Sequence, residues 1–133
     1  NDETLYMERG AYLCHVGNIE TSATWEGFSG TFAEGMFGLR VSGTGLLFFG
    51  SYGDVQEVEV NGSYTVDNGY AVAWEQNLDY SIGRSGRSIR SFLFSDQLIC
   101  HFHGNGKLWV QTRSPRNLAA WVHPFRRVKS KND

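Results

Sequence analysis

The stretch Asp96 to Arg113, DQLICHFHGNGKLWVQTR, decides the fold. Leu98, Cys100 and Phe102 alternate with Ile99, His101 and His103, and Leu108, Val110 and Thr112 alternate with Trp109 and Gln111. A period of two belongs to strands whose faces see different surroundings, and Gly104-Asn105-Gly106 offers the positive φ angles of a tight hairpin. The sequence therefore predicts two strands folded at Gly104-Asn105-Gly106. A matching hairpin is predicted within Glu34 to Gly50, EGMFGLRVSGTGLLFFG, turning at Gly43-Thr44-Gly45.

Further out, Leu5 to Val16 reads as two short strands around Arg9-Gly10, with Leu5, Met7, Tyr12 and Cys14 as inward positions. Ile19 to Trp25 is another strand. Ser51 to Asp54 is a turn, Val55 to Val60 alternates again, and Asn61-Gly62 is a hairpin dipeptide. From Tyr64 the pattern restarts. Gly69 stands for Gly10 and Leu78-Asp79-Tyr80 for Ile19-Glu20-Thr21, each 59 residues on, and Gly106 stands for Gly45, 61 residues on. The expectation is one domain over 1–133 made of two similar β units of about 60 residues, 1–62 and 63–113. Residues 114–133 then form a short helix and a basic tail. Ser114-Pro115 is a helix-start signal, and Asn117 to Val122 places Leu118, Trp121 and Val122 on one side, packed on the sandwich.

Composition agrees with an all-β domain. The chain has 133 residues, 41% hydrophobic and 14% aromatic, with sixteen Gly against two Pro. That length buries roughly two thirds of the unfolded surface. No apolar run approaches the ~20 residues of a membrane helix and no signal peptide opens the chain. A first residue other than Met reads as a processed product or a fragment. Cys14 and Cys100 read as two buried free thiols in a reducing compartment. Charge is lopsided: residues 1–79 hold 12 Asp/Glu and 2 Lys/Arg, and residues 80–133 hold 2 Asp/Glu and 10 Lys/Arg. Such halves attract each other, within a subunit or between subunits; a polyanion binder more commonly carries net positive charge, and this chain carries −2.

Asp67-Asn68-Gly69, Val72-Ala73-Trp74, Asp79-Tyr80, Leu98 to Phe102, Gly104-x-Gly106 and Trp109-Val110-Gln111-Thr112-Arg113 together resemble a bacterial and mitochondrial family, that of altered inheritance of mitochondria, member twenty-four. Gly43-Thr44-Gly45-Leu46-Leu47-Phe48 and Ser51-Tyr52-Gly53 extend the likeness over nearly the whole chain. The resemblance implies an antiparallel β sandwich or open barrel like that of the tryptophan RNA-binding attenuation protein, of double-stranded β-helix type, which tends to oligomerise. It also implies a domain longer at its N-terminal side, no family catalytic residues, and a location in bacterial cytoplasm or mitochondrion, with peripheral contact to the inner membrane.

Three constellations invite chemistry. His101 and His103 share a strand face, the arrangement of a His-x-His metal pair in cupin-like proteins, although Gly104 to Lys107 adds no carboxylate. The polyanion candidates, for RNA or another phosphate chain, are Arg84, Arg87, Arg90, Arg113, Arg116, Arg126 and Arg127, with Trp109, Tyr70 or Trp121 as stacking surfaces. The tail beside Trp121, Pro124 and Phe125 is the candidate for an anionic membrane. For enzymes the sequence holds no Gly-x-Ser-x-Gly elbow and no Walker loop; Ser85-Gly86-Arg87-Ser88 lacks the lysine, and Glu20, Glu26, Asp79 and Asp96 are scattered. Cys100 shares a face with Leu98 and Phe102, which argues burial. The expectation is a non-enzymatic assembly module without a cofactor, a homo-oligomer whose acidic and basic halves dock head to tail.

Overall fold

The computed structural model describes residues 3–24, 38–84 and 98–126. β1 (Glu3–Glu8) passes through a 3-10 turn into β2 (Tyr12–Thr24). β3 (Gly38–Phe49), β4 (Val55–Asp67), β5 (Ala71–Glu75), β6 (Leu78–Arg84) and β7 (Leu98–Gln111) follow, then α1 (Pro115–Val122) and a 3-10 turn at His123–Phe125. Every pairing is antiparallel. The order is β2-β3-β1-β5-β7-β4, with β6 also on β7. Among the described residues β2 and β4 end the row without meeting, so the sheet is open there. This is the all-β architecture with one short C-terminal helix that the alternation implies.

The predicted hairpins take another form. β7 runs unbroken through Gly104-Asn105-Gly106, β3 through Gly43-Thr44-Gly45 and β4 through Asn61-Gly62, with Asn61 facing Asn105 and Gly62 facing Gly104. These glycines make a corner. Phe102 and Leu108 would lie about 20 Å apart along a straight strand. Yet Trp74, which pairs with Leu108, has its ring 5.4 Å from that of Phe102. β7 therefore folds over while keeping its ladder, lying between β4 and β6 before the corner and between β4 and β5 after it. Bent strands passing from layer to layer make two faces out of one sheet.

One ladder repeats. Glu3 to Glu8 face Gly43 to Gly38, and Gly62 to Asp67 face Gly104 to Ile99. Ile19 faces Gly43, and Leu78 faces Gly104. Even the bulge recurs: Leu13 is the extra residue between Tyr12 and Cys14, and Val72 the extra residue between Ala71 and Ala73. Each first-half position maps onto its counterpart by the same shift, 59 residues on β1 and β2 and 61 on β3.

The core lies in two clusters. Trp74, Phe102, Leu108 and Cys100 lead the larger, within the second half, where Trp74 also stacks on Tyr6 and meets Tyr80 edge-on with centroids 5.1 Å apart. Burying side chains of this size contributes about 1.5–3 kcal/mol each. Met7, Val41 and Ala73 form the smaller, ringed by half-buried Tyr12, Ile19, Leu39, Leu47, Phe49 and Trp109. Gln111 ties the end of β7 down: its Oε1 accepts from the Tyr52 N–H at 2.8 Å and its Nε2 donates to the Gly69 carbonyl at 2.6 Å.

Two expectations on burial are corrected. Cys100 is buried, but Cys14 is exposed, because β2 is an edge strand and nothing described covers its outer side. The helix forms at Pro115 as expected, yet Leu118, Trp121 and Val122 are exposed, since among the described residues no strand packs extensively against it.

Candidate functional site

His101 and His103 sit on β7 between β4 and β6. Thr65 and Ser81 flank His101; Ser63 and Asp79 flank His103. Directly opposed residues of an antiparallel pair share a face, so Asp79 brings to this face the carboxylate that the following residues lack. The His101 ring is already engaged: Nδ1 lies 3.0 Å from Thr65 Oγ1, and Nε2 lies close over Gly83, 3.2 Å from where a β-carbon would stand. Among the described residues no three His, Cys, Asp or Glu side chains gather as a metal group.

Of the polyanion candidates, Arg87, Arg90 and Arg127 lie outside the described residues, as does the side chain of Arg84, which ends β6. Arg113 leaves β7 with its N–H donating to the Tyr52 carbonyl at 3.0 Å, and its aliphatic stem lies against Gly53. Arg116 lies in α1 and Arg126 just past its end, both exposed. Trp109 is committed to packing in the smaller cluster, and the Tyr70 hydroxyl accepts from Asn117 Nδ2 at 2.6 Å. Both aromatics are half-buried.

Cys100 is buried in the larger cluster. Burial pushes its thiol up from 9.0 to about 11, so it stays protonated at neutral pH. Glu59, Glu75, Asn105 and Lys107 line a groove, and Lys107 forms a 2.8 Å ion pair with Glu57. The hydrogen bond to Glu57 and that carboxylate's charge raise the lysine's pKa.

The surfaces that the sequence reading left unlocated are the edges. β4 pairs only with β7 and β2 only with β3 among the described residues. On β2 and β3, Cys14 faces Phe48 and Val16 faces Leu46, and all four are exposed. Side chains two apart on a strand share a face, so these four form one apolar patch beside an unpaired edge. A second apolar surface is α1 with its following turn, where Trp121 is 68% and Phe125 74% exposed, their rings 5.7 Å apart.

Among the described residues the chain is an antiparallel β sheet with two unpaired end strands and an apolar patch beside one of them. The chain matches the model of the mitochondrial biogenesis AIM24 family over residues 1–113 and belongs to that family. It is 30% identical over 92 residues to the uncharacterized protein M6_Spy0233 of Streptococcus pyogenes serotype M6, a match covering 68% of this chain and 37% of that protein. The X-ray crystal structure of protein SPYM3_0169 from Streptococcus pyogenes has the same fold, with a TM-score of 0.79 at 22% identity, over 95% of this chain and 57% of that one. The chain thus spans little more than half of that structure and little more than a third of that relative.

Proposed function

We propose that this chain is a non-enzymatic assembly module made of two copies of one β unit, related to the attenuation-protein fold, which associates with itself through its sheet edges. The observation that carries this reading is the pair of end strands without a partner among the described residues, one of them beside the Cys14, Val16, Leu46 and Phe48 patch. Open edges invite strand addition, and a contiguous exposed apolar patch marks a surface that is covered in use. The repeated ladder supports the duplication. The acidic first half and basic second half support a head-to-tail orientation, with salt weakening the encounter. An exposed free thiol fits a reducing compartment, the bacterial cytoplasm or the mitochondrion. Native mass spectrometry over a wide protein concentration range is the test: oligomers are expected, and a monomer throughout overturns the reading.

The rival reading, binding of RNA, another polyanion or a metal, has weaker support, because Trp109 packs in the smaller cluster and His101 is engaged by Thr65. Contact with an anionic membrane surface is better favoured. In α1 and its turn, exposed Leu118, Trp121, Val122 and Phe125 accompany Arg116 and Arg126, with Arg127, Lys129 and Lys131 next in the chain. An apolar face among cations is the chemistry of interfacial helices. No described helix is long and apolar enough to cross a membrane. Flotation with anionic against neutral vesicles separates this reading from simple self-association.

A further inference from the structure

Tyr6 of β1 stands in one cross-strand row between two different groups, Arg40 of β3 on one side and Trp74 of β5 on the other. Directly opposed residues of antiparallel strands share a face. Neighbouring strands lie about 4.8 Å apart, so the arginine and the tryptophan occupy the same side of the sheet about 10 Å from each other along the row.

The tryptophan side is a cavity of about 120 Å³ lined by Tyr6, Trp74, Gln76, Leu78, Asp79 and Tyr80. Trp74 and Leu78 are buried, Tyr6 and Tyr80 half-buried, and Gln76 and Asp79 exposed, which sets the last two at the mouth. On β6, Asp79 alternates with Leu78 and Tyr80 and is opposed to His103, so its carboxylate is turned to the other face and the cavity meets its main chain. The walls are therefore aromatic and aliphatic, without a charge. An engineered protein cavity of about 150 Å³ takes benzene, so this one has room for a small ring or a branched alkyl group. The arginine side is already oriented. Arg40 is half-buried, with Nη1 donating to Ser42 Oγ at 3.2 Å and Nη2 to Thr4 Oγ1 at 3.5 Å. Thr4 also ties the guanidinium to the cavity mouth, because its carbonyl accepts from the Gln76 N–H at 3.3 Å. Glu8 and Glu20 share this face, but Glu8 accepts from the Gly10 N–H at 3.2 Å, and neither forms an ion pair with Arg40 among the described residues. Hydroxyls thus hold the guanidinium in place without neutralising it, and a planar fork with N–H donors to spare suits a carboxylate or phosphate.

We propose that this face binds a small organic anion, with its apolar end in the Trp74 cavity and its carboxylate or phosphate on Arg40. The cavity supplies shape and apolar contact, Arg40 supplies the charge, and Tyr6 forms the floor between them. The site lies within one chain and is independent of self-association.

Phenylacetate tests the site in a nuclear magnetic resonance titration that follows two signals, the Trp74 indole N–H, assigned by its loss in Trp74→Phe, and the Arg40 Nε–H. Both are expected to move along one saturation curve. Acetate, the charge without the body, and benzyl alcohol, the body without the charge, are each expected to bind about tenfold more weakly or worse. Arg40→Gln keeps an amide that can donate to Ser42 and removes the charge. It is expected to weaken phenylacetate about tenfold or more while leaving benzyl alcohol unchanged, and an undisturbed amide spectrum shows that the variant is folded. Benzyl phosphate, run beside phenylacetate, names the preferred oxyanion, and a loss in Arg40→Gln is expected for whichever binds. A phenylacetate titration unchanged in Arg40→Gln, acetate binding as tightly as phenylacetate, or a Trp74 signal that no probe moves overturns the proposal and leaves the cavity to water.

Discussion

Gly43 and Gly104 hold the same left-handed backbone, φ +131° and +124°, and each turns its Cα toward the carbonyl oxygen of an asparagine, Asn18 and Asn77 respectively. A methyl group at Gly104 would stand 2.5 Å from the Asn77 oxygen, and one at Gly43 would run into that of Asn18. Backbone on both sides leaves nothing flexible to yield. Gly104→Ala and Gly43→Ala are therefore each expected to cost about 2–4 kcal/mol, combining the left-handed penalty with the clash. Gly50→Ala, whose methyl would meet only the Leu13 side chain at 3.7 Å, is expected to stay within about 0.5 kcal/mol. Urea unfolding of the three variants gives the comparison. Equal costs at Gly50 and Gly104 would remove the corner as the reason for the glycine.

What the sequence made legible follows from where each signal is local. Period-two alternation around Cys100, Phe102 and Leu108 is a local property, so the all-β class and the buried face are readable from it. Gly104-Asn105-Gly106 signals a bend just as locally, but whether the chain reverses there or turns a corner depends on β4 running alongside it from Val55 to Asp67, a long-range pairing. The same limit explains Gln111, which looks like any strand-end amide until Tyr52 and Gly69 are brought to it. Cys14 misleads for a third reason. It carries the pattern of a covered position, and in this chain its cover is missing among the described residues.

The two cysteines are expected to behave differently. Cys100 should resist thiol reagents until the protein unfolds, whereas Cys14 should react in dilute protein and slow as the protein assembles. Because the folded pKa of Cys100 lies above its ordinary value, its contribution is fully present below about pH 9 and is lost as pH rises toward about 11. A shift of that size corresponds to roughly 2–3 kcal/mol. Unfolding midpoints from pH 8 upward should therefore fall more steeply for the native chain than for Cys100→Val. Parallel curves would show that burial does not hold the thiol neutral.

Trp74 poses a compensation. Its ring is packed among Tyr6, Tyr80 and Phe102, yet its Nε1 has no hydrogen-bond partner among the described residues. Removing the whole side chain in Trp74→Ala is expected to cost about 3–5 kcal/mol. Trp74→Phe keeps most of the contact and removes the buried unpaired donor, whose burial itself costs about 1–3 kcal/mol. The phenylalanine variant should accordingly lose less than about 2 kcal/mol in chemical unfolding. A loss matching that of alanine would mean that the indole N–H is satisfied after all.

The C-terminal segment separates stability from function. Among the described residues α1 packs extensively on no strand; contacts near its start include the Leu118 N–H to the Ser114 carbonyl, 3.1 Å, and Asn117 Nδ2 to the Tyr70 hydroxyl, 2.6 Å. Deleting residues 118–133 removes side chains that are exposed wherever they are described, 118–126, and keeps the buried Gln111 and Ser114. The deletion is expected to shift unfolding by less than about 1 kcal/mol and to leave the oligomer unchanged, since neither edge strand is touched. Flotation with anionic vesicles should drop to the level of neutral vesicles in the same protein, and Trp121→Ser with Phe125→Ser should reproduce most of that loss without shortening the chain. Unchanged flotation in both would take the membrane away from this helix, whereas loss of the oligomer would move the assembly contact onto it.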